Sequence, residues 1–161
     1  MSLILKYERK EYTLAPEGLH QVVACDVVDL GVVETTFGPK QKLRIVFQTE
    51  SEDPETKQRY MLFATFNANL HPKGNLRKLL ESWRGRRFTE QELAGFDIEA
   101  LVGANGQAQV VHEIGNNGTE YANITAMVPL SKTMPKIAAK DYTRSKNRQD
   151  NAPADDDEVP F

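Results

Sequence analysis

The sequence has one cysteine, one tryptophan and three histidines in 161 residues. With Cys25 alone, no internal disulfide can form, so stability has to come from a packed core. Residues 22–28 around it are apolar except for Asp26, and a lone cysteine in such a stretch reads as a buried thiol, not a nucleophile. His20, His71 and His112 lie far apart, and no His or Cys spacing matches a zinc site or a nucleophilic triad. A Walker-type phosphate loop is also missing, since Gly115, Asn116, Asn117 and Gly118 carry turn chemistry, not a nucleotide cradle. We therefore expect a non-enzymatic protein with no metal and no cofactor. No apolar run approaches the roughly 20 residues of a membrane span, and the first residues lack the basic-then-apolar layout of a secretory leader. The expected location is the cytoplasm.

Excess positive charge is lacking too: 20 Lys and Arg stand against 23 Asp and Glu, a net charge of −3. The distribution is uneven, however. Asp155, Asp156, Asp157 and Glu158 crowd the last seven residues, and without them 20 basic residues face 19 acidic ones. A body this close to neutral can hold a polyanion only through a local basic face.

What is present is strand-forming sequence. Residues 19–33 are rich in valine and too long for one flat strand, which predicts a bent or bulged first strand. After Gly38 and Pro39, residues 42–48 set Leu43, Ile45 and Phe47 on one face and Lys42, Arg44 and Gln48 on the other. Residues 59–66 form an aromatic-rich third strand, with Tyr60, Phe63 and Phe66. The period then changes: Leu76, Leu79, Leu80 and Trp83 have helical spacing ending at Gly85, and Thr89 with Glu92 forms a capping box for a second short helix. Strand patterning returns over 107–114 and 120–128, joined by the Gly115 to Gly118 turn. Three strands, a helix and two more strands is the order of an OB-fold. The expected class is thus all-β with minor α, a five-stranded Greek-key barrel with a helix between strands 3 and 4. The expected organisation is an N-terminal arm over 1–17, the OB domain over 18–130, a disordered linker over 131–154 and an acidic tip over 155–161.

A small barrel can hold a single strand by stacking bases on aromatic rings while Lys and Arg follow the phosphates. The second and third strands are where OB-folds usually bind. That points to Lys40, Lys42, Arg44, Arg59 and Tyr60. Alternation groups Tyr60 with Phe66 opposite Phe63 but does not say which set faces in. We assign Tyr60 and Phe66 to the exposed face and Phe47 and Phe63 to the interior. The densest basic region includes Lys73, Arg77 and Lys78, followed by Arg84, Arg86 and Arg87, whose three guanidiniums have few nearby acids to balance them. Trp83 completes the leucine stripe and reads as core.

The tip combines Asp155, Asp156, Asp157 and Glu158 with Val159, Pro160 and Phe161. A solubilising end explains the acids but not the phenylalanine, whereas docking into a basic-rimmed pocket of a partner explains both. This terminus resembles the acidic tip of bacterial single-stranded DNA-binding proteins, where a terminal Pro-Phe, here Pro160 and Phe161, inserts into partner enzymes of replication, recombination and repair. Glu158 and Val159 stand where that family more often has an aspartate and an isoleucine. Residues 16–18, 81–88 and 121–124 are similar to phage- or mobile-element-encoded members, which are OB-folds. The resemblance implies a binder that coats and protects single-stranded DNA with little sequence preference and recruits partners through its tip; one barrel per chain leaves room for self-association, which raises effective concentration without new contacts. The alternatives from the residues are an OB adaptor with weak nucleic-acid binding and an RNA-binding OB domain.

Overall fold

The computed structural model describes residues 14–145. Strands β1 (Gly18–Thr35), β2 (Gly38–Glu52), β3 (Arg59–Asn67), β4 (Asn105–Ile114) and β5 (Glu120–Val128) form one antiparallel sheet in the order β3-β2-β1-β4-β5. Helices α1 (Asn75–Arg84) and α2 (Glu90–Ala94) fall between β3 and β4, as the change of period predicts. A 3-10 turn, Ile98–Leu101, follows α2 without any periodic signal of its own.

β1 is eighteen residues long and broken in the expected way. Its register against β2 slips between Ala24 and Asp26, leaving Cys25 as the extra residue, and again between Asp29 and Gly31. Each bulge bends the strand and increases its twist. At the second, Gly31 takes a φ of 73° while its N–H donates to the Asp29 carboxylate, a conformation glycine reaches without steric penalty. One strand can thereby pair with β4 over its first six residues and with β2 over most of its length.

The core lies between the concave face of this sheet and α1. Val22, Ala24 and Val27 of β1, Leu43, Ile45 and Phe47 of β2, Leu62 of β3, Ala108 and Val110 of β4 and Met127 of β5 are buried against Leu76, Leu80 and Trp83. The Trp83 ring lies 5.4 Å from that of Phe47 and its indole N–H donates to the Asn105 carbonyl at 2.9 Å. Gly106 makes room for it, because a Cβ there would sit 2.5 Å from Trp83 Nε1. Helix α1 ends on Gly85, whose φ of 74° lets its N–H close on the Glu81 carbonyl. The α2 capping box forms in full, with the Thr89 hydroxyl accepting from the Glu92 N–H and the Glu92 carboxylate accepting from the Thr89 N–H.

Both expected termini of the domain need correction. Residues 14–17 already belong to the body: Ala15 is buried, its carbonyl is 2.7 Å from His112 Nε2, and the Glu17 carboxylate accepts the His112 N–H. Residues 1–13 lie outside the described residues.

After β5 the departure is larger. The segment 131–145, expected to be linker, runs back across the convex face of the sheet. Gln21 donates to the Pro135 carbonyl, and the Asn105 side-chain amide bonds both the N–H and the carbonyl of Ile137. The Gln48 amide does the same for Lys140, while Arg59 donates to the Ala138 carbonyl at 2.6 Å. The strap bends at Asp141, with a φ of 54°, and its residues 142–145 reach Asp26, which accepts from Tyr142, Arg144 and the Ser145 N–H. Arg144 also forms a two-pronged bond with Glu99 at 2.8 and 2.9 Å. This strap explains why residues 21–27 and 45–49 are buried continuously, where a strand with one wet face would alternate. Its own residues show no apolar period because side-chain amides of the body satisfy its backbone. The remainder of the expected linker, 146–154, and all of the tip, Asp155, Asp156, Asp157, Glu158, Val159, Pro160 and Phe161, lie outside the described residues.

Candidate nucleic-acid interface

Where the strap does not reach, the convex face of β2 and β3 is open. Leu43, Ile45 and Phe47 are buried as expected, which turns Lys42 and Arg44 outward. Pairing sets Asn67 opposite Lys42, Thr65 opposite Arg44 and Phe63 opposite Val46. Phe63 is 55% exposed, a large ring presented to solvent from the middle of a strand. The Arg44 guanidinium lies 6.0 Å from its centroid, at the outer limit of a cation–π contact. Arg44 Nε is buried without a hydrogen-bond partner, and no carboxylate pairs with this guanidinium among the described residues. Cation and ring thus share one patch without neutralising each other.

The aromatic assignment on β3 is inverted relative to expectation. Tyr60 and Phe66 pack against the core, and Phe63 is the exposed ring. The deciding residues are Leu62, 1% exposed, and Ala64, which share the face of Tyr60 and Phe66 and complete an apolar row. The opposite row holds Arg59, Met61, Phe63, Thr65 and Asn67. In the sequence the signal for Phe63 is the whole row, since Leu62 and Ala64 make the face of Tyr60 and Phe66 the more apolar one.

Beside Phe63 the sheet edge β3 faces β5 across a groove of about 570 Å³ floored by α1. Thr65 and Phe66 line one wall, Asn123 and Thr125 the other, and Lys78 and Ser82 project from the helix. The Ser82 hydroxyl donates to the Met127 carbonyl, tying α1 to β5. In the sequence Lys78 belongs only to a general basic region, and Thr125 of β5 carries no signal. At the other end of β2, Lys40 is exposed close to the β1–β2 turn, whose Phe37 is 87% exposed.

The arginines around Gly85 behave differently from one another. Arg84 is engaged within the fold, 2.6 Å from a Glu92 carboxylate oxygen and 4.6 Å above the Phe88 ring. The expectation that acids nearby are too few is corrected by Glu92, which also lies 3.8 Å from Arg86, and by Glu81, which feels Arg77 and Arg87. Arg86 and Arg87 remain exposed, as does Lys73 ahead of α1. Arg59, also expected to bind, is held by the strap.

Hydrogen bonds from Arg84 and from the Thr89 N–H lower the Glu92 carboxyl from its ordinary range to about 2. A depressed carboxylate stabilises the fold above its unfolded value near 4.5, and that contribution is lost as pH falls through about 2. Glu92→Gln should therefore flatten the dependence of melting temperature on pH between about 4.5 and 2, leaving a smaller acid-induced drop than in the parent.

The histidines have local duties: His20 Nε2 is 2.6 Å from the Pro16 carbonyl, His112 bonds Ala15, and His71 Nδ1 accepts from the Lys73 N–H. Cys25 is buried, its thiol directed at the Val46 carbonyl. Among the described residues no group of three or more His, Cys, Asp or Glu could hold a metal ion, and no helix is long and apolar enough to cross a membrane. No family model matches the chain, and no curated protein matches it. The site is therefore defined by its geometry: a basic, aromatic, one-sided patch on β2 and β3 that runs into a polar groove.

Proposed function

We propose that the chain is a non-enzymatic single-stranded DNA-binding protein built on an OB-type barrel, with the strand laid across the convex face of β2 and β3. The order β3-β2-β1-β4-β5, the helix between β3 and β4 and the approach of the two edge strands across α1 support the barrel reading. The observation that carries the function is the pairing of exposed Phe63 with Arg44 and Lys42, none of which has an ionic partner among the described residues. A flat ring accepts any base, and a guanidinium beside it meets the backbone phosphate, so the patch binds single strands without reading base edges. Arg86, Arg87, Lys73 and Lys78 are exposed cations with no hydrogen-bonded acid among the described residues, and they extend the positive surface around α1. The tip, through its resemblance to bacterial single-stranded DNA-binding proteins, is the proposed recruiter of replication, recombination or repair enzymes.

Titration of labelled oligo-dT at several salt concentrations tests this reading. Neutralising Z phosphates on a single strand gives a slope of about −0.7Z in a plot of log K against log salt. With Lys42, Arg44 and two or more of the outer cations engaged, a slope of about −3 or steeper is expected. Binding that does not change with salt, or that is equally tight for duplex DNA, would overturn the proposal.

A further inference from the structure

We infer that the binding face continues under the strap, and that the short span 138–141 lifts from β2 and β3 when a strand occupies it, so that Arg59, Gln48 and Met61 become binding residues. This rests on the proposed function, and it concerns a part of the face that is covered in the free protein.

The convex row on β2 and β3 does not stop at Phe63. Gln48 pairs with Met61 one step further along, and Arg59 lies just beyond on the same face of β3 as Met61 and Phe63. A strand stacked on Phe63 and running in this direction meets the strap. The strap is not equally attached along its length. At Ile137 it is fixed by both arms of the Asn105 amide, and at Tyr142, Arg144 and Ser145 by Asp26 and Glu99. Between those anchors Ala138, Ala139, Lys140 and Asp141 are all exposed and bury no apolar side chain. A pocket of about 210 Å³ opens beside this span, lined by Lys140 and Asp141 on one side and by Gln48, Arg59 and Met61 of the sheet on the other. Segments with little buried apolar surface and solvent-exposed backbone bonds open at low cost.

The chemistry of Arg59 supplies the exchange. Its guanidinium is bonded to a neutral carbonyl, Ala138 O, and its Nε is buried without a hydrogen-bond partner. A phosphate oxygen offers a charge-assisted bond, about twice as strong as one to a neutral acceptor. Gln48, freed from Lys140, regains a donor and an acceptor for a sugar or base. The exposed ion pair between Lys140 and Glu52 at 3.3 Å adds little resistance.

Amide hydrogen exchange on the full chain, with and without saturating oligo-dT, tests the inference through an internal control. The Lys140 N–H, which donates to Gln48, should lose protection when DNA binds, while the Ser145 N–H, which donates to Asp26, should keep it. In parallel, Arg59→Ala should weaken oligo-dT binding about 5-fold or more and lower the salt slope by about 0.7. If oligo-dT binds while Lys140 stays protected and Arg59→Ala leaves affinity and slope unchanged, Arg59 merely holds the strap and the inference fails alone. If oligo-dT does not bind at all, the proposed function fails and the inference with it.

Discussion

Replacing Phe63 by alanine should lower affinity for oligo-dT by about 5- to 150-fold, the equivalent of about 1–3 kcal/mol for one lost base-stacking platform. Phe63 is 55% exposed and on the convex face, so the same change should leave the melting temperature nearly untouched. That combination, a large loss of binding with an intact fold, separates a stacking ring from a core ring. Phe63→Tyr keeps a flat face and should retain most of the affinity. The complementary change, Phe66→Ala, should act in reverse: Phe66 packs against the core, so removing it costs stability first and binding only as a consequence. Arg44→Ala should reduce the salt slope by about 0.7, since one phosphate contact goes with it. Equilibrium titration of the four variants, read beside thermal denaturation, checks the set.

Asp26→Ala should destabilise the fold by about 1–3 kcal/mol, because it leaves the Tyr142 hydroxyl and the Ser145 N–H without their acceptor while Arg144 keeps only Glu99. Asp26 is fully buried, and Arg144, Tyr142 and the Ser145 N–H all converge on it. Burial pushes its pKa upward, but the bonds from Ser145, Tyr142 and Arg144 outweigh this and hold it below its ordinary value of 3.8. Its contribution is thus complete above that value and lost as the pH falls below it. Asp26→Asn retains acceptor and shape without the charge and should cost less than the alanine. Urea denaturation with tryptophan fluorescence reads the outcome, since Trp83 sits in the core. A loss below about 1 kcal/mol for Asp26→Ala would mean that the strap is not part of the cooperative unit.

The two predictions also show where the sequence speaks clearly. Alternation in 42–48 and the helical spacing of Leu76, Leu80 and Trp83 name buried residues correctly, because one-sided burial imprints a period. The Thr89 and Glu92 box and the helix stop at Gly85 are local chemistry, complete within a few residues, and both form. Long-range contacts leave no such trace. Nothing near Asp26 announces Arg144, 118 residues away, and nothing in 131–145 announces a segment whose backbone is bonded by Gln21, Gln48 and Asn105. Charge alone does not mark a free cation: Arg84 and Arg59 are basic, yet one is bound to Glu92 and the other to the strap. Exposure, pairing and charge have to coincide, and they do so at Arg44 and Phe63.

Photo-crosslinking of an oligo-dT carrying one halogenated uracil, followed by mass mapping of the attached peptide, tests the central claim most directly. The account predicts attachment within residues 59–67, at Phe63, with loss of that product in Phe63→Ala. Attachment confined to other segments, such as the arginines near Gly85, with none in β3, would contradict it.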